Sequence, residues 1–110
     1  MGSHSKRVFK MTIHIHYTDG ESETIKGNFK PNLAWLQGKV GGFIEIINLL
    51  DNVQMVVNEE AIFKRLEPNP TATQIYRADL DCRYKLPQSE LNRIFICGVA
   101  VVLEGRSRVT

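Results

Sequence analysis

Between residues 8 and 17 apolar and polar positions alternate, with Phe9, Met11, Ile13, Ile15 and Tyr17 on one side and Lys10, Thr12, His14 and His16 on the other. A period of two describes a strand with one buried and one wet face. Thr18, Asp19 and Gly20 supply turn chemistry, and residues 21–25 return as a second, more polar strand. The chain therefore opens on a β-hairpin, expected at a sheet edge. Pro31 and Asn32 start a short helix in which Leu33, Leu36, Gln37 and Val40 share a face. It ends at Gly41 and Gly42, residues that tolerate positive φ and let two backbones approach closely.

Residues 43–50 are rich in β-branched side chains, turn at Asp51 and Asn52, and are answered by residues 53–57. Both segments are apolar on both faces, so this hairpin is expected inside the sheet. Residues 61–66 read as a helical turn or irregular excursion anchored by Ile62, Phe63 and Leu66 and closed by Pro68 and Pro70. A helix over 71–80, capped by Thr71 or Thr73, leads to a polar loop over 82–93. Residues 94–103 form a last, central strand in which Gly98 marks a bulge or a close backbone approach. The fold class is α+β: a mostly antiparallel sheet of about four to five strands with two or three short helices.

Composition bounds this picture. The 110 residues suit one domain, and 43% hydrophobic with 24% charged residues is an ordinary globular balance. Residues 8–104 are expected to be that domain, residues 1–7 a tag or disordered N-terminus in which Met1, Gly2, Ser3 and His4 look like an expression scar, and 105–110 a basic tail. A net charge of +2 announces no global basic field. Positive charge gathers locally, at Lys6, Arg7 and Lys10 and at Arg106 and Arg108. Two cysteines, no signal-like apolar N-terminus and no run long enough to span a bilayer point to a reducing cytoplasm and to no membrane partner.

Candidate chemistry is sparse. His14 and His16 share one side of a strand, but two ligands make no metal site. Cys97 sits in an apolar run, where a thiol behaves as a small hydrophobe, and Cys82 has no histidine nearby in sequence. The glycine pair follows a helix C-terminus, the negative end of the dipole, which is the wrong order for a phosphate cradle. No catalytic residue, metal or cofactor is assigned. The candidate binding residues are Glu45, Asn58, Glu59, Glu60 and Asn69, which can hydrogen-bond a polar edge, and Tyr76, Arg77, Arg83 and Tyr84, a combination that stacks on rings and pairs with phosphates.

The order of Leu36, Gln37, Val40, Gly41, Gly42, Phe43, Ile44 and Glu45, then Val56, Val57, Asn58, Glu59 and Glu60, then Pro68, Asn69, Ala72 and Thr73, and finally 96–100, resembles the family called domain of unknown function 3846. The resemblance covers about the last two thirds of the chain and implies a phage or mobile-element origin and a fold more than a mechanism. Where that family places a glycine after the paired acids this chain has Ala61. Where the family places Gly-Leu-Pro before the asparagine it has Arg65, Leu66 and Glu67. Its loop over 81–93 is also longer.

Three readings follow, in this order. The first is a non-enzymatic phage-type accessory protein that binds a small ligand, a nucleotide or nucleotide-derived signal for instance, or a host protein. The second is a nucleic-acid-binding module using the basic ends and the Tyr76 to Tyr84 region. The third is a small hydrolase using the carboxylates. Self-association is expected beside any of them, because a thin sheet apolar on both faces has too few helices to cover itself.

Overall fold

The computed structural model describes residues 11–105 and 109. The basic groups at Lys6, Arg7, Lys10, Arg106 and Arg108, with the start of the first strand at Val8 and Phe9, lie outside that set. The described chain is an α+β fold: β1 (Met11–His16), β2 (Ser22–Gly27), α1 (Leu33–Val40), β3 (Ile44–Asn48), β4 (Gln54–Asn58), α2 (Pro70–Tyr84), α3 (Gln88–Leu91) and β5 (Ala100–Gly105). The strands form one sheet in the order β2-β1-β5-β4-β3, with every neighbouring pair antiparallel.

The alternation in β1 divides the interior in two. Ile13 and Ile15 lie on one face with Val56, Val101 and Leu103, and α1 lays Leu36 and Val40 across them. Leu33, expected on the same helix face, is exposed. The opposite face carries Met55, Val57, Ala100 and Val102, which pack against Ala72, Ile75 and Tyr76 of α2. One helix thus covers each face. Scarcity of helices, the reason for expecting self-association, therefore does not describe this molecule.

Local chemistry sets the helix ends. The Asn32 side chain accepts from the Trp35 N–H at 2.8 Å, and Gly41 closes α1 at φ 82°. At α2 the cap is Asn69, not Thr71 or Thr73: its side-chain oxygen accepts from the Ala72 N–H at 3.1 Å, and Pro70 follows at the first helical position. Proline there lacks an N–H that the first turn would have left unpaired, so Pro70 opens a helix where the sequence pattern ended a turn. The helix runs on to Tyr84, which takes Cys82, Arg83 and Tyr84 out of the expected loop.

Two strand expectations change. β3 is an edge strand, not an inner one. It is apolar on both sides because Ile44 and Ile46 pack towards α1 while Ile47 packs towards α2, so two-faced burial arises without a neighbour on each side. The strand expected over 94–103 begins only at Ala100. The segment before it is held by the α2 entrance instead: the Ile96 N–H donates to the Thr73 hydroxyl at 2.9 Å, its carbonyl accepts the Asn69 N–H at 2.8 Å, and the Gly98 N–H donates to the Glu67 carbonyl at 2.7 Å. Gly98 has φ 83°, and a Cβ there would stand 2.9 Å from Leu66 Cδ1, so the room it leaves is taken by a side chain, while the close backbone approach is its bond to Glu67.

Candidate functional site

β4 ends at Asn58, and the chain then makes a hydrogen-bonded excursion over 59–65. The Glu59 N–H continues the ladder to the Phe43 carbonyl at 2.8 Å, the Lys64 N–H reaches the Glu60 carbonyl at 2.8 Å, and the Leu66 N–H reaches the Ala61 carbonyl at 2.9 Å. Both ends of the turn are pinned, so its middle protrudes. Ile62 is 77% exposed and Phe63 87%, the reverse of the anchoring role their apolarity suggested, while Ala61 is the buried residue.

This turn forms one wall of a cleft of about 520 Å³ on the α2 side of the sheet. The floor is Glu45, Ile47 and Val57, and the far wall is Tyr76 with Phe95, Ile96 and Cys97. Glu45 and Val57 face each other across β3 and β4, which places a carboxylate at the sheet margin and an apolar side chain beside it. The volume is that of an ordinary small-ligand or side-chain pocket. Phe95 is half out of the cleft, and the Arg77 guanidinium lies 4.8 Å from its ring centre.

Of the residues singled out from sequence, Glu45, Asn58, Glu59 and Tyr76 meet in this cleft. Glu60 does not: it pairs with Lys64 at 3.4 Å and lines a smaller pocket of about 190 Å³ with Gln37, Gly42 and Phe43. Asn58 is buried and internally bonded, donating to the Val40 carbonyl at 3.1 Å and accepting from the Glu60 N–H at 2.7 Å. Asn69 is fully buried and donates to the His16 and Gly98 carbonyls, both at 2.9 Å, besides capping α2. It has no polar atom left for a ligand.

The arginines are held as well. Arg77 donates to the Ile94 carbonyl at 2.9 Å and the Asn92 carbonyl at 3.3 Å. Arg83 pairs with Asp79 at 2.7 Å and reaches the Asn48 carbonyl at 2.5 Å, while Asp79 also accepts the Leu50 N–H at 2.7 Å. That bond to the Asp79 carboxylate holds the Arg83 guanidinium above its ordinary range. The pair fastens α2 to the β3–β4 turn. Tyr84 is exposed at the helix end, away from the cleft.

Sequence pattern did not mark Ile62, Phe63, Phe95 or Cys97 as site residues. The available signal lay in Ile62 and Phe63 themselves, two large apolar neighbours between Glu59–Glu60 and Lys64–Arg65, in a segment too short to bury both. On β1, His14 and His16 stack with ring centres 6.2 Å apart, and His14 bridges Thr24 at 3.1 Å and Glu104 at 3.2 Å. Among the described residues no three His, Cys, Asp or Glu side chains converge as a metal site, and no helix is long and apolar enough to cross a membrane.

The fold and this cleft define a small α+β protein with an apolar pocket edged by carboxylates. Residues 11–108 match the family described as Domain of unknown function (DUF3846), and the chain belongs to that family. No curated protein and no solved structure matches it.

Proposed function

We propose that this chain is a non-enzymatic binding protein that acts by occupancy, with the cleft between β3, the 59–65 turn and α2 as its site. The observation that carries this reading is the group of large apolar side chains standing in water around one pocket, Ile62, Phe63 and Phe95. Contiguous exposed apolar surface rimmed by polar groups is costly to a protein that binds nothing and is typical of interaction sites.

A small ligand and a partner protein, a host protein in the phage setting, both suit such a site. The lining favours the protein. Glu45 and Glu59 stand where a nucleotide's phosphates would need cations, and the arginine beside Phe95 already serves two backbone carbonyls. The apolar side chains also extend beyond the pocket mouth, which a small molecule would leave uncovered. In this reading the carboxylates recognise and orient; they perform no chemistry.

A thermal-shift screen of nucleotides, short oligonucleotides and peptides tests the proposal, because a ligand of the native state alone raises the melting temperature. The expected result is a shift of several degrees for at least one class. It should vanish in a Phe63→Ser, Phe95→Ser double variant of unchanged stability. A shift that survives in that variant moves the site elsewhere.

A further inference from the structure

Resting on the cleft as the binding site, we infer that its occupant is an extended, basic segment of a partner protein that adds to the sheet as a sixth strand beside β3. β3 is a sheet edge, and its phase is fixed at both ends by the Glu59 N–H to the Phe43 carbonyl and the Leu49 N–H to the Val53 carbonyl. In an antiparallel ladder the bonded residues alternate, so Phe43, Glu45, Ile47 and Leu49 bond inward to β4. Ile44 and Ile46 then aim their N–H and carbonyl groups outward. Asn48 would do the same, but its carbonyl already accepts from Arg83. The edge thus offers a short two-residue ladder closed at its far end by an arginine.

The two edges of the sheet differ. β2 is Ser-Glu-Thr-Ile-Lys-Gly, polar and charged along its length, which is how proteins discourage strand addition. β3 is Ile-Glu-Ile-Ile-Asn, without lysine or proline, and is preceded by an exposed Phe43. Among the described residues no segment pairs with its outer side.

Position and charge select the occupant. A strand laid beside β3 places alternate side chains on the cleft face next to Glu45, with directly opposed Cβ atoms about 5 Å apart. Glu45 and Glu59 form no ion pair with another described residue. A lysine or arginine beside Glu45 and a large apolar side chain two residues along, towards Ile62 and Phe63, satisfy both kinds of surface. This is recognition by strand addition, in which the backbone supplies affinity and alternate pockets supply choice. A second copy fits less well: pairing two β3 strands antiparallel about Glu45 sets that carboxylate against its twin, an unfavourable cross-strand pair.

The test uses the full chain and a fluorescein-labelled peptide, Thr-Lys-Val-Phe-Val-Lys-Thr, read by fluorescence anisotropy. Three further probes accompany it: the same peptide N-methylated at alternate residues, a version with Glu in place of Lys, and the Glu45→Lys protein. Expected are saturable binding of the Lys peptide, a loss of at least tenfold on N-methylation, and a similar loss with Glu45→Lys that the Glu peptide reverses. Equal binding of the N-methylated peptide overturns strand addition while leaving the cleft as the site. So does failure of every peptide alongside a cleft-dependent thermal shift with another ligand class. Ile46→Pro removes an outward N–H without breaking the β3–β4 ladder. If the purified chain is a dimer by sedimentation and this variant is a monomer, the edge belongs to a second copy and the inference is overturned.

Discussion

The Asn58 amide donates to the Val40 carbonyl at 3.1 Å, tying the end of β4 to the end of α1. Its oxygen accepts the Glu60 N–H at 2.7 Å, so one side chain also starts the turn that displays Ile62 and Phe63. Gly42 lies against it, and a Cβ at that glycine would stand 3.0 Å from Asn58 Nδ2. The double glycine therefore has two separate reasons: Gly41 supplies positive φ and Gly42 supplies room. Asn58→Ala leaves a carbonyl and an N–H unpaired in a site that is only 3% exposed, and should cost about 1–3 kcal/mol. A lowered urea midpoint at unchanged slope checks it. Full stability with lost binding would return Asn58 to the role of a ligand contact.

Asn69 gives a sharper contrast, because aspartate is normally as good an N-cap as asparagine. Here the amide nitrogen feeds two buried carbonyls, those of His16 and Gly98. Asn69→Asp keeps the cap oxygen but turns the other oxygen against both carbonyls. It should destabilise at least as much as Asn69→Ala, for which loss of the cap and of two buried bonds implies about 3 kcal/mol. Denaturant midpoints of the two variants, measured near neutral pH, decide the order.

The elements whose own residues dictate them were legible in the sequence. β1 and β2 follow from alternation and Thr18-Asp19-Gly20, and α1 from Asn32 and the glycines. What failed depended on tertiary partners. The β3 edge position could not be read from Ile44, Ile46 and Ile47, because helices on both faces bury an edge strand much as neighbours bury an inner one. Residues 94–99 looked like strand because they are apolar, yet their hydrogen bonds go to Thr73, Asn69 and Glu67. Glu45, Asn58, Glu59 and Tyr76, singled out by polarity and type, come together at one cleft. The apolar wall was missed because hydrophobicity alone does not separate a core anchor from a side chain left in water.

Arg65 sits at φ 55°, in the left-handed region, with its N–H donating to the Ile62 carbonyl at 3.0 Å. It stands where the family resemblance leads one to expect glycine. A side chain in that region costs about 1 kcal/mol, partly offset by the greater unfolded-state freedom of glycine. Arg65→Gly should therefore stabilise by about 0.5 kcal/mol and raise the melting temperature by about 2 °C. Gly98→Ala, at φ 83° with Leu66 2.9 Å from the new Cβ, should lower it instead. Differential scanning calorimetry of the pair reads both signs.

His16 makes stability depend on pH in a defined direction. Burial on the α2 side of β1 lowers its pKa below the usual 6.5, and the neighbouring His14 lowers it further. Its Nδ1 is buried without a hydrogen-bond partner, so nothing compensates a proton placed there. Its neighbours on that side of the sheet include His14, which bridges Glu104 and Thr24, and its two cross-strand partners, Ser22 on β2 and Ala100 on β5. With the folded pKa depressed, the unfolded chain takes up the proton first as pH falls. The contribution is fully present above about pH 6.5 and is lost as pH drops through the folded value. Melting temperature should thus decline from pH 7.5 to 5, a window in which most exposed carboxylates remain ionised. His16→Gln should flatten that decline. His14→Gln should reduce it without abolishing it, because burial is the larger cause. Equal slopes in the wild type and His16→Gln would assign the pH dependence to another group.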